Sequence, residues 1–121
     1  MHTFPSRMFR WAAIYGAIVL TPLYLTPMPD VGAEVFLGFV GLALVFQGVF
    51  WTIGGDPVKY RALMPYAVAE KLVFGLPALL LLLMLRGYPI APPVAGFAAI
   101  DVALGLGFFA AWRRMAPGRL S

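Results

Sequence analysis

Four long apolar runs, separated by short connections rich in proline and glycine, make up most of this chain. A helix needs about 20 residues to cross the hydrocarbon of a bilayer, and each run approaches that length. Charged residues form only 12% of the chain, whereas a soluble domain has about 25%. The sequence therefore predicts an all-α integral membrane protein in which residues 1–121 form a single membrane domain. The predicted transmembrane helices span about residues 9–25, 33–53, 62–85 and 93–112.

The positions of the basic residues predict how the chain is threaded, because Lys and Arg are enriched at the cytoplasmic ends of membrane helices. The side opposite the cytoplasm has a single basic residue, Arg86, which lies on the same side as Asp30 and Glu34. Both termini are therefore expected in the cytoplasm, and the short connections predict an antiparallel four-helix bundle. The expected location is the inner membrane of a bacterium. Seven of the nine basic residues support this orientation: Arg7, Arg10, Lys59, Arg61, Arg113, Arg114 and Arg119.

Composition excludes several kinds of chemistry. The chain has no cysteine, so disulfides, thiolate metal sites and thiol catalysis are ruled out. The single histidine, His2, lies at the N-terminus, and no metal or cofactor is expected. The net charge of +4 comes from basic residues that flank apolar runs, which favours a role in topology over nucleic-acid binding.

A cleaved signal peptide is the alternative interpretation of the first run. Arg7 and Arg10 precede an apolar stretch, and "VGA" before Glu34 resembles a cleavage site. Cleavage would leave three membrane helices in place of four.

Polar side chains within the predicted helices fall in the cytoplasmic half or near the middle of the membrane. Counted from the cytoplasmic ends, their depths range from about 6 Å for Tyr66 to about 17 Å for Asp101. The outer half is apolar, as in "LPALLLLLML" of the third run. A binding cluster facing the cytoplasm is expected from Tyr15, Gln47, Tyr66, Glu70, Lys71 and Asp101.

Lys71 is expected to form an ion pair with Asp101 of the fourth helix. A lone charge in a membrane is costly, and the lysine stem can reach about 6 Å toward a partner. Small residues on the same face of the third helix as Lys71 indicate packing against another helix: Ala67, Gly75 and Ala78. Glu70 points about 100° away from Lys71. It is predicted to lack a cation and to turn toward Tyr66 or Gln47, and Pro77 is expected to kink the helix just beyond.

The fourth run has small residues at every fourth position, a pattern typical of closely packed membrane helices. Asp101 lies roughly 160° around the helix from Ala99 and Ala103, so both features cannot face one neighbour. Either the small residues pack inside the bundle, or Asp101 faces inward and they form a homodimer or partner-protein contact. The ladder is Ala95, Ala99, Ala103, Gly107 and Ala111.

The loop "GGDPVKYRALMP" (residues 54–65) is predicted to be a tight turn whose basic residues keep it on the cytoplasmic side of the membrane. The alternative is contact with a lipid headgroup or a partner. Three tryptophans near the cytoplasmic ends are typical of an aromatic belt: Trp11, Trp51 and Trp112.

The segments "DPVKYRALMPYAVAEKLVFG" and "AIDVALGLGFFAAWRR", together with the chain's size and number of helices, resemble small four-helix bacterial membrane proteins of the DoxX-like type. The resemblance implies a four-helix membrane fold and assigns no functional residue. Small multidrug-type transporters depend on a Glu in their first helix. The first run here contains no acid, which argues against that class.

Three functions fit these observations. The preferred one is a non-enzymatic accessory or interaction subunit with internally neutralised charges. The second is a carrier or binder of a small or lipophilic molecule that uses Glu70, Lys71 and Asp101. The third is an enzyme performing acid–base chemistry on a lipid-like substrate, since no Cys, Ser or His lies within the predicted helices to act as a nucleophile.

Overall fold

A computed structural model describes residues 3–84 and 89–115. The described residues are helical apart from turns and short connections, and they contain no strand, which confirms the all-α prediction. His2, Leu85, Arg86 and Arg119 lie outside the described residues. The helices are α1 (Thr3–Leu20), α2 (Ala33–Gly55), α3 (Met64–Met84) and α4 (Pro92–Arg114), with short 3-10 turns at Thr21–Leu25 and Arg61–Leu63.

The first predicted membrane segment, residues 9–25, ends at Leu25 as expected but begins six residues earlier, at Thr3. α1 begins at Thr3, and Pro5 lies in its first turn, where a missing N–H costs little. It ends at Leu20, and a 3-10 turn follows, with Pro22 in the first turn of that segment. Proline has no N–H to donate to the carbonyl four residues earlier, so the α-helical pattern stops there.

The other helices match their predictions within a few residues. α2 extends to Gly55, and its N-cap Gly32 has a φ of 84°, a left-handed conformation that suits glycine. Pro65 lies in the first turn of α3, as expected, and Pro77 lies inside the helix. α4 begins one residue earlier and ends two residues later than predicted.

Four segments are long and apolar enough to cross a membrane: Thr3–Leu25, Ala33–Gly55, Arg61–Met84 and Pro92–Arg114. These four segments suggest a multi-pass membrane protein.

The chain divides into two compact units, Met1–Tyr60 and Arg61–Ser121. The first contains α1 packed on α2, here called the first hairpin. Its helices are antiparallel, since Ser6 bonds to Gly54 near one end and Phe9 packs on Phe50 one turn further along. Five of the six buried residues of α2 recur at three- and four-residue intervals, typical of a helix that packs along one stripe: Val40, Ala43, Gln47, Phe50 and Gly54, with Ile53 as the sixth.

The second unit contains α3 packed on α4, here called the second hairpin. Arg61 contacts Trp112 at one end, and Gly75 lies against Ala98 further along, so these helices are also antiparallel. A Cβ atom at Gly75 would lie 2.9 Å from the Ala98 carbonyl oxygen, so only glycine permits this close approach.

Candidate functional site

Lys71 lies on the face of α3 that packs against α4. Only 4% of the residue is exposed, and Ala67, Gly75 and Ala78 beside it are buried. The expectation that small residues mark the packed face of this helix is therefore confirmed. A charged side chain at this position, ten residues into the membrane-length segment Arg61–Met84, requires charged or polar partners.

The expected ion pair with Asp101 is present, with Lys71 Nζ 3.7 Å from Asp101 Oδ1. The antiparallel register of the second hairpin brings the two residues to the same level. Gly105, one turn beyond Asp101, lets α4 approach α3 closely, because a Cβ atom there would lie 3.0 Å from Leu72 Cδ2 and 3.3 Å from Lys71 Cβ. A glycine on α4 therefore allows the close packing that encloses the lysine.

Glu70 also contacts the lysine, so the prediction that it lacks a cation was wrong. Its Oε2 lies 3.7 Å from Lys71 Nζ. The two Cβ atoms diverge around the helix, but both side chains are long enough for their charged ends to converge. Glu70, Lys71 and Asp101 together form what we call the acid–base cluster.

The expected hydrogen bond between Glu70 and Tyr66 is not formed. Tyr66 is 68% exposed and turned away from the packed face, while Glu70 Oε2 is buried and accepts no hydrogen bond in the described part of the chain. Both contacts to Lys71 exceed hydrogen-bond length, so they are ion pairs at longer range.

The acid–base cluster has one ammonium for two carboxylates, so the fully ionised cluster carries a surplus negative charge. The lysine side chain is 5% exposed, whereas those of Glu70 and Asp101 are 18% and 21% exposed. The cation is thus enclosed while both acids stay partly accessible. Such an arrangement can accept a proton or a positive group at the carboxylates while the lysine holds them in place.

The two remaining candidates, Tyr15 and Gln47, belong to the first hairpin. Gln47 is 5% exposed, and its Nε2 donates to the Ala43 carbonyl at 2.8 Å. Its Oε1 is buried and accepts no hydrogen bond from the described residues. The amide occupies the space that a side chain at Gly16 would need, and Tyr15, next to that glycine, is half-buried. The six candidates thus fall into two groups, two in the first hairpin and four in the second.

The small-residue ladder of α4 does not form the contact with α3. Ala99 and Ala103 are exposed, whereas Ala98 and Gly105 on the other side of the helix are buried. Within the second hairpin, Asp101 rather than the ladder therefore contacts α3. Ala111 at the end of the ladder is buried, and Ala95 and Gly107 are partly buried.

The sequence did not predict that an arginine packs on a tryptophan in each hairpin. Arg10 lies over the ring of Trp51, and Arg61 over that of Trp112. In each hairpin the spacing from the helix ends places the arginine near the level of its tryptophan, so the sequence contained a signal for both contacts. Trp11, by contrast, is 68% exposed, as a membrane-belt residue would be.

Residues 3–84 and 89–115 contain no group of three His, Cys, Asp or Glu side chains that could hold a metal ion. The fold and site define a helical protein with membrane-length segments and an internal acid–base cluster. Comparisons with protein-family models, curated proteins and solved structures give no match. The resemblance to DoxX-like proteins therefore stays a prediction.

Proposed function

We propose that this chain is a multi-pass protein of a bacterial inner membrane that binds or carries a small or lipophilic molecule at the acid–base cluster. The observation that supports this function is that Lys71 contacts two carboxylates. A matched pair of charges can serve as structural glue alone, but a surplus carboxylate in an apolar environment calls for a further positive partner. That partner is a proton or a positive group of the bound molecule.

In this proposal the four membrane-length helices form one antiparallel bundle with both termini in the cytoplasm. The distribution of Lys and Arg supports that orientation. The absence of cysteine makes a direct test simple. Asp30→Cys should react with an impermeant maleimide added outside intact cells, and Lys59→Cys should react only after permeabilisation. The reverse pattern would overturn the orientation.

Binding is tested with two probes of one carbon skeleton, benzylamine and benzyl alcohol, on protein reconstituted in nanodiscs. A surplus carboxylate predicts that benzylamine stabilises the protein against heat more than benzyl alcohol does. Glu70→Gln should remove this difference. Glu34→Gln, the same chemical change at an exposed acid, should keep it.

A proton is the other partner the cluster can take, and it is tested in proteoliposomes that contain a pH-sensitive dye. Proton entry under an imposed potential should exceed that of Glu70→Gln liposomes. Equal responses of wild type and Glu70→Gln to both organic probes and to the potential would contradict the proposed function.

An interaction subunit is the second candidate, and the exposed small residues of α4 favour it. Ala99 and Ala103 offer a surface on which another helix can pack closely. In the cysteine-free chain, Ala99→Cys should form a disulfide-linked dimer in membranes if two copies meet there. Phe97→Cys, also exposed but on another side of α4, is the matched control. Equal cross-linking at both positions would argue against a specific contact.

A further inference from the structure

Each hairpin holds an arginine against a tryptophan at the end where its first helix starts and its second helix finishes. The Arg10 guanidinium carbon lies 3.8 Å from the centre of the Trp51 ring. The Arg61 guanidinium carbon lies 5.3 Å from the centre of the Trp112 ring. These Arg–Trp pairs use the favourable interaction of a cation with an aromatic face. Neither Arg–Trp pair belongs to the acid–base cluster.

Both guanidinium groups have a hydrogen-bond donor without an acceptor. The Nε of Arg10 and the Nε of Arg61 are enclosed, and neither donates to any described residue. Neither arginine forms an ion pair with a carboxylate within residues 3–84 and 89–115. A cationic N–H without an acceptor is costly, so each group would gain from an anion with several oxygen atoms.

The first pair lies in a notch that requires glycine. A Cβ atom at Gly54 would lie 2.6 Å from Arg10 Cγ and 3.0 Å from the Ser6 carbonyl oxygen. Ser6 Oγ donates to the Gly54 carbonyl at 2.6 Å and fixes the two helices at this level. The arginine is therefore held in place by the backbone of α2 and the ring of Trp51.

The second pair has a comparable support. Arg61 belongs to the 3-10 turn before α3, and its Nη2 lies 3.5 Å from the Trp112 carbonyl oxygen, a weak hydrogen bond. The ring of Trp112 also packs against Phe109 at 5.9 Å. Two exposed arginines, Arg113 and Arg114, follow in the last turn of α4 and add positive charge.

We propose that each Arg–Trp pair binds the phosphate group of an anionic phospholipid. A guanidinium presents two parallel N–H groups to phosphate oxygens, a match that lysine cannot make. Tryptophan is enriched at headgroup level, where the lipid phosphates also lie. Basic residues beside membrane helices attract anionic headgroups, and Arg7 supplies such a charge near the first pair. Free phosphate shares the recognised group, so the test separates the two sources.

Native mass spectrometry of the full chain in detergent, with phosphatidylglycerol or phosphatidylcholine added, measures this binding. We expect two tightly held phosphatidylglycerol molecules per chain and weaker binding of phosphatidylcholine. Arg10→Lys and Arg61→Lys keep the charge but lose the planar donor pair. Each variant should bind one lipid fewer, or bind that lipid with an affinity about fivefold lower, which is the factor for one hydrogen bond of ordinary strength. Arg113→Lys is the matched control: it keeps the positive charge beside the second pair and removes no guanidinium from either Arg–Trp pair, so it should bind as wild type does.

Inorganic phosphate in the same experiment identifies the source. Displacement of the lipid by millimolar phosphate would overturn the lipid assignment in favour of free phosphate. Equal binding by wild type, Arg10→Lys and Arg61→Lys would overturn the role of the pairs, because net charge alone would then explain the affinity. If a lysine variant fails to fold, Trp51→Phe and Trp112→Phe test the same pairs. Unchanged lipid binding in both would equally contradict the proposal.

Discussion

The two hairpins are built alike but hold different polar groups in their interiors. Each is an antiparallel helix pair with an Arg–Trp pair at one end. Each also buries one long polar side chain against a glycine of the opposite helix: Gln47 against Gly16 in the first hairpin, and Lys71 against Gly105 in the second. The first of these side chains is a neutral amide and the second is an ammonium.

This difference decides where functional chemistry can take place. The Gln47 amide carries no net charge: its Nε2 donates to a carbonyl of its own helix, and its Oε1 is buried without a donor among the described residues. The Lys71 ammonium cannot be neutralised by a carbonyl, and it recruits one carboxylate from α3 and one from α4. A buried amide strengthens packing, whereas one ammonium shared by two carboxylates leaves one of these carboxylates without a cation of its own. The second hairpin is therefore where binding is expected.

The largest predicted effect separates the two buried polar groups. Lys71→Met should lower the free energy of unfolding by about 3 kcal/mol, because two partly buried carboxylates would face each other without a cation. Gln47→Leu should change it by about 1 kcal/mol or less, because one net hydrogen bond is exchanged for apolar contact. Reversible unfolding in mixed micelles measures both. Equal losses would mean that the hairpins do not differ in the way described.

A second contrast uses glycine-to-alanine changes within the second hairpin. Gly75→Ala should cost about 1–3 kcal/mol, because the new methyl group would push α4 away from α3 at Ala98 and Val102. Gly96→Ala on α4 meets nothing within 4 Å and should be neutral or stabilising.

The same contrast exists in the first hairpin, where Gly54→Ala meets the backbone of α1 and Gly48→Ala meets nothing within 4 Å. We expect only the first change to destabilise the protein in mixed micelles. If the crowded and open positions respond alike in either hairpin, the helices of that hairpin do not approach as closely as described.

The smallest effect concerns the hydrogen bond that joins α1 to α2. Ser6→Ala should cost about 1 kcal/mol, the usual net value of one such bond. Thr52→Ala removes a hydroxyl that bonds within its own helix at an exposed position, so it is the control and should have almost no effect on unfolding. A Thr52 effect as large as that of Ser6 would contradict this account, because alanine favours the helix at both positions and only Ser6 bonds across to the other helix.

Much of this architecture was predictable from the sequence. Helices that cross a bilayer must be apolar along about 20 residues, so their number and approximate bounds follow from hydropathy. The Lys71–Asp101 pair was also predictable, because one basic and one acidic residue at similar depths need each other. The start of α1 at Thr3 was not, since polar residues before an apolar run can be helical or extended.

The Glu70–Lys71 contact was missed because helical geometry was applied to Cβ directions and not to the reach of the side chains. Adjacent residues diverge at Cβ, yet a glutamate and a lysine can bend their charged ends together. The Arg–Trp pairs were missed for another reason. Each tryptophan was explained by the membrane interface alone, so no partner was sought for it among arginines distant in the chain.

The central claim is that Glu70 and Asp101 share one ammonium, and a double-mutant cycle between the two acids tests it most directly. Glu70→Gln or Asp101→Asn alone should cost about 1 kcal/mol or less, because the remaining carboxylate still pairs with Lys71. The double variant leaves a buried ammonium without an acid and should cost at least about 2 kcal/mol more than the two single changes combined. A double variant that costs only the sum of the single changes would show that the acids do not share the lysine.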